Sequence, residues 1–176
     1  MYCKDKSCAT PQDMSSSVGT KTVKLTDDER NDNAMKIMKE LIKNDYSVIV
    51  AAGIVGNMWT ESKWNPTSVN KNDYGKESIG LCQWRGDRNV KLRKFAKDKG
   101  KNWQDIDIQI AYLMTELTKS NFNRNGKNGY SAFVNAKTPQ EAAKLFCYYW
   151  ERPKECSQER MDYAYAVYEK FNNSKK

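Results

Sequence analysis

Apolar positions along the chain recur mainly every third or fourth residue, and that rhythm predicts helices. "TDDE" from Thr26 to Glu29 is a capping-box pattern, with Ala34, Ile37, Met38, Leu41 and Ile42 following at helical spacing. A second helix is expected from about Ser47, through "VIVAAGIVGNMW", to Glu61. It is apolar on nearly every face, which suits the central buried helix, and Gly53 and Gly56 one turn apart would let a neighbouring helix come close. From Asn65 to Trp84 the chain turns to Asn, Pro, Ser, Gly and Asp and ends in the β-prone "SIGLCQW", a loop plus a small hairpin. Asp87 can then cap a basic helix that stops at Gly100, and Ile106, Ile110, Leu113, Met114 and Leu117 form another stripe. "NFNRNGKNG" reads as a loop. "TPQE" from Thr138 to Glu141 opens a helix that buries Ala142, Ala143, Phe146, Cys147 and Trp150. The last helix is expected to place Met161, Ala164, Tyr165, Tyr168 and Phe171 on one face. Residues 1–25 are polar and aperiodic, a flexible N-terminal arm or linker, so the domain is expected over 26–176. The pattern as a whole predicts a mainly α domain with one small β element after the second helix.

Composition narrows the chemistry more than the fold. The 176 residues suffice for one domain with a real core. The charge of +8 favours anionic partners such as nucleic acid, anionic lipid or a bacterial wall polymer. The longest apolar run, Val48 to Val55, is far short of the roughly 18 residues of a membrane span. "MYCKDKSCATPQDMSSS" lacks the apolar centre of a secretory signal, so export would need another route. Of five cysteines, Cys82 and Cys147 lie in apolar surroundings and read as buried free thiols, with a Cys147–Cys156 bridge as the alternative. Cys3 and Cys8 complete the set. The count of zero histidines matters most. It removes most zinc, serine and thiol hydrolase chemistry, and no metal or cofactor is expected. Glycoside cleavage, which runs on carboxylates, is untouched.

Glu61 is the carboxylate that stands out, because it ends the apolar helix with Asn57 and Met58 one turn back and Trp59 and Trp64 beside it. Burial and the negative end of the helix dipole both disfavour its charge, which suits a general acid protonated near neutral pH. The plainer alternative is an ion pair with Lys63 or with an arginine elsewhere in the chain.

The order G-N-M-x-x-E-S-x-x-N-P (Gly56 to Pro66), S-x-G-L-x-Q-W (Ser78 to Trp84), W-E-R-P (Trp150 to Pro153) and Q-E-R (Gln158 to Arg160) resembles the tail-associated lysozymes of bacteriophages. It is more distantly similar to goose-type lysozymes and lytic transglycosylases. The resemblance covers about residues 30–171. It implies an α+β lysozyme-like fold, with the small hairpin as one wall of a substrate cleft. It also implies cleavage of the β-1,4 bond between N-acetylmuramic acid and N-acetylglucosamine, with Glu61 as general acid. Ser62 would support that carboxylate, Gln83 on the hairpin strand would contact an N-acetyl sugar, and Trp84 would stack on a sugar face or belong to the core. Tyr148 or Tyr149 would reach the reacting sugar. Asp73 and Glu77, with Asp87 beyond them, are the candidates for a second carboxylate, although relatives manage with one glutamate and the substrate's acetamido group. Glu151 and Arg152 are expected in a structural salt bridge with the last helix, through Glu159 or Arg160. The implied partners are bacterial peptidoglycan and other phage tail proteins or further domains of a longer chain, and the implied location is the virion tail.

Three other readings compete. The basic segment "DRNVKLRKFAKDKGK" suggests a nucleic-acid module, although its lysines are mixed with acids and it matches no binding motif. A lysis enzyme acting at the end of infection, or a non-catalytic tail component, would keep the fold and change the role.

Overall fold

The computed structural model describes residues 21–174. Helix α1, Asp27–Lys43, starts at the expected cap. Thr26 Oγ1 accepts from the Glu29 N–H at 3.2 Å, and the Glu29 carboxylate accepts from the Thr26 N–H at 2.7 Å. Thr26→Ala removes half of this box and should cost about 1 kcal/mol. A thermal melt followed by circular dichroism would then fall by about 2–4 °C. An unchanged melt would show that the cap contributes nothing.

Helix α2, Val48–Ser62, is the central helix that the apolar run predicts, and Ser47 caps it. Its interior residues are buried all round because α1, α6 (Pro139–Phe146) and α7 (Gln158–Asn173) pack on it. The two glycines make the close approaches. A Cβ on Gly53 would lie 2.5 Å from the Ala142 Cβ, and one on Gly56 would lie 2.5 Å from the Ala164 nitrogen. The second approach fixes how α7 is rotated. Its buried face is Arg160, Ala164, Val167 and Phe171 rather than the tyrosine-bearing face expected, and Tyr165 is 48% exposed. Tyrosine serves either face of a helix, so apolar spacing alone leaves the rotation open.

The hairpin region differs in detail from the expectation. Strands β1 (Val69–Asp73) and β2 (Lys76–Ile79) pair antiparallel around Tyr74 and Gly75, which both have positive φ, as a primed turn requires. The segment "SIGLCQW" is not one strand. Ser78 and Ile79 end β2, Gly80 to Gln83 form a turn, and Trp84–Arg85 return as β3 beside β2. Gln109 of α4 (Ile106–Glu116) anchors this turn from beneath, accepting from the Leu81 N–H and donating to the Pro66 and Trp103 carbonyls. In α3 (Asp87–Asp98) the N-cap is Gly86, and Asp87 stands in the first turn, not at the cap.

The stretch expected as a loop contains a second small hairpin, β4 (Asn123–Arg124) with β5 (Lys127–Asn128), turned at Asn125–Gly126. A short helix, α5 (Tyr130–Val134), follows. Helix α6 continues as a π-helical turn, Cys147–Glu151. Cys147 and Cys156 form a disulfide, with Cα atoms 6.0 Å apart, which corrects the reading of Cys147 as a free thiol. Cys82 is a buried free thiol as expected. Residues 1–20 of the expected arm, with Cys3 and Cys8, lie outside the described residues, while Val23 is tied to the loop after α2 by bonds to Thr67 and Asn65. Among the described residues no helix is long and apolar enough to cross a membrane.

Candidate active site

A cleft of ≈ 630 Å³ runs between the first hairpin and the chain that leaves the π-helical turn. Glu61 lies in its lining, on the last turn of α2, with its side chain 19% exposed. The sequence left its counter-ion open, and the structure supplies Arg160, whose Nη2 donates to Glu61 Oε1 at 2.6 Å. The other amino group of Arg160 donates to Asn57 Oδ1 at 3.0 Å, and the Asn57 amide donates to the Gly53 and Ala143 carbonyls. Three helices therefore meet in one buried polar chain that ends on the Glu61 carboxylate. A guanidinium at this point also offsets the negative end of α2. Lys63, the other expected partner, pairs with Glu159 instead.

Ser62 is buried, and its hydroxyl bonds to the carbonyls of Met58 and Leu81. It joins the end of α2 to the hairpin turn and so supports Glu61 rather than facing a ligand. Gln83 is in the cleft but on the turn, not on a strand. Its amide NH₂ is engaged by Gly80 and Ser68, and its Oε1 accepts no bond among the described residues. Trp84 is corrected to core, the alternative its position allowed. It is wholly buried and its Nε1 donates to Glu116 Oε2 at 2.8 Å, so no ring face is open to a sugar.

The structure does not bring Tyr149 to Glu61. Its ring lies against Gly129, and with Tyr148 it lines a separate pocket beside Arg124. Two aromatic residues line the cleft, the buried Trp150 and, at the hairpin tip and 93% exposed, Tyr74, which sequence reasoning missed. Its exposure in a primed turn was legible from Tyr-Gly between two polar strands. The two candidate second carboxylates separate. Asp73 lines the cleft, accepts from the Ser78 hydroxyl and pairs with Arg85 at 3.5 Å. Glu77 pairs with Arg93 at 2.6 Å and faces a different groove, together with Asp87.

Glu151 also lines the cleft with Glu61, and it makes none of the ion pairs expected of it. One carboxyl oxygen, Oε1, is buried without a hydrogen-bond partner. Burial pushes this carboxyl well above the ordinary glutamate value, and the charge of Glu61 pushes the same way, while Arg88 and Arg160 pull against them. Arg88 is already committed, in a two-bond pair with Glu116 and stacked 4.1 Å from the Trp150 ring. The signal for Glu151 was present in the sequence: "LFCYYWE", like "VGNMWTE", is an apolar helical run that ends on a glutamate.

A family model of phage tail lysozymes matches residues 32–171. Among curated proteins the chain is similar to "Morphogenesis protein 1" of Bacillus phage B103, with 28% identity over 138 residues. That match takes in 76% of this chain and 37% of the relative, so the chain spans little more than a third of the relative's length.

Proposed function

We propose a specific reaction for this chain, which belongs to the phage tail lysozyme family: cleavage of the β-1,4 bond between N-acetylmuramic acid and N-acetylglucosamine in peptidoglycan, with Glu61 delivering the proton to the leaving oxygen. The observation that carries the assignment is the placement of Glu61 in the hairpin-walled cleft, at the end of a buried polar chain from Ala143 through Asn57 and Arg160. A side chain fixed in this way loses little freedom when substrate arrives, which is what positioned proton transfer needs. Gln83 offers a free amide oxygen to an acetamido N–H on the hairpin side. Tyr74 and Arg85 on the same wall, the guanidinium 5.6 Å from the ring, give a sugar an apolar face edged by charge. Of the two hairpin carboxylates considered as a second acid, Asp73 is the one that lines this cleft.

The nucleic-acid reading loses its best support in α3, where the arginines are spoken for. Arg88 is held by Glu116, Arg93 by Glu77, and Lys94 pairs with Asp98. The proposed setting is the virion tail, with the enzyme acting on the host wall during DNA delivery, beside other tail proteins or further domains of a longer chain. The size of the Bacillus phage relative supports such further domains.

Purified cell walls digested with the protein and analysed by mass spectrometry should yield soluble disaccharide-peptides. A reducing sugar end would assign completion of the reaction to water, and a 1,6-anhydro end would assign it to the substrate's own hydroxyl. Walls that release no such fragments would rule the proposal out.

A further inference from the structure

We infer that Glu151 is the carboxyl that works with Glu61 in this cleft, and that it stores the proton which Glu61 passes to the glycosidic oxygen. This rests on the reading of Glu61 given above. The argument is one of charge matching in a confined space. Five ionisable side chains gather at the cleft: Glu61 from α2, Arg88 from α3 and Glu151 from the π-helical turn in its lining, with Glu116 from α4 and Arg160 from α7 paired to them. The buried Cys82 thiol stands behind them, held neutral by burial.

The two arginines are matched one to one. Arg160 bonds Glu61, and Arg88 forms its pair with Glu116, which also accepts from Trp84 and from the Tyr112 hydroxyl. Glu151 is the carboxyl left over. An ionised carboxylate there would need a partner for its buried Oε1, and none is present among the described residues. Neutral Glu151 removes both the unmatched charge and much of the cost of the orphaned oxygen. Glu151 thus keeps its proton in the same cleft as a glutamate that is already bonded to an arginine, an unlike pair of environments such as acid and base partners in active sites have. Neither of the hairpin acids is placed this way, since Asp73 has Arg85 and Glu77 has Arg93.

The proton balance closes. Glu151 gives its proton to the Glu61 carboxylate, and Glu61 yields a proton to the leaving oxygen as the bond to the anomeric carbon breaks and its electron pair stays with that oxygen. The water or sugar hydroxyl that then adds to the anomeric carbon loses a proton, which returns to the pair. Because the proton passes from one carboxyl to the other, the pH profile belongs to the pair and not to either residue.

Glu151→Gln keeps the shape of the side chain but holds no transferable proton. Activity of the wild-type protein should persist through neutral pH and fall as Glu151 loses its proton. The variant should lose at least about tenfold in muropeptide release at neutral pH, regain rate in acid, and show its alkaline limb at lower pH. A variant with the wild-type profile would overturn the inference. Infrared spectroscopy of the substrate-free protein gives a reading independent of activity and, in its wild-type arm, of any variant. The wild type at neutral pH should show the carbonyl band of a protonated carboxyl, fading only at alkaline pH and missing from Glu151→Gln. No such band at neutral pH would overturn the inference even if wall cleavage holds. A band without wall cleavage would instead sink the functional reading and leave Glu151 as a buried neutral acid.

Discussion

Glu61→Gln should abolish wall cleavage, lowering muropeptide release by at least about 100-fold. Glutamine keeps the length and the acceptor oxygen, so Arg160 can still donate to it at the position where Nη2 now lies 2.6 Å from Oε1. It cannot protonate a leaving oxygen. The substitution does leave the charge of Arg160, a buried residue, without its match, and stability should drop by roughly 1–2 kcal/mol. Rates therefore have to be compared well below the melting transition, with circular dichroism confirming the fold. Glu77→Gln is the control, because Glu77 pairs with Arg93 in a different groove and its loss should leave the rate within about twofold. Full clearing of walls by Glu61→Gln, or an equal loss in Glu77→Gln, would refute the assignment.

The sequence reached the features set by local chemistry. The capping box at Thr26, the all-round apolar α2 and its two close-approach glycines follow from side-chain type and spacing alone, and they stand where expected. Glu61 was legible for the same reason, as a charge out of place in an apolar run. What escaped are pairings across long stretches of chain. Arg160 lies 99 residues from Glu61, and whether it turned inward depended on the rotation of α7, which a tyrosine-rich helix does not declare. Trp84 could stack on a sugar or belong to the core, and Tyr148 or Tyr149 could reach the reacting sugar. Trp84 finds a buried acceptor on α4, and Tyr149 finds a glycine to lie against, contacts that no local pattern encodes. Glu151 was expected in a salt bridge with the last helix, through Arg160, but Arg160 is taken by Glu61 and Asn57. Arg152 takes a left-handed backbone conformation and sits exposed, and Glu151 lines the cleft with one oxygen buried.

Gly56→Ala should be the most damaging single-methyl change on the far side of the cleft from solvent. In an exposed helix this replacement stabilises, by about 1 kcal/mol. Here the added Cβ would stand 2.5 Å from the Ala164 nitrogen and 2.6 Å from both the Ala164 Cα and the Arg160 carbonyl oxygen. All three are backbone atoms, so no side chain can swing away and α7 itself must move. Overpacking of this kind costs about 3 kcal/mol, which outweighs the helix propensity gained. The net loss of about 2 kcal/mol should lower the melting temperature by about 4–8 °C, with the denaturation midpoint falling in step. The displaced helix carries Arg160, so the carboxylate it holds is displaced too, and muropeptide release should drop even in the cold where the protein remains folded. Arg160→Lys would separate these effects. It keeps a charge near Glu61 but loses the second bond to Asn57, so it should lower the rate with a smaller change in melting than Gly56→Ala. If Gly56→Ala melts with the wild type, or melts early yet cleaves at the full rate in the cold, then α7 does not set the position of Glu61.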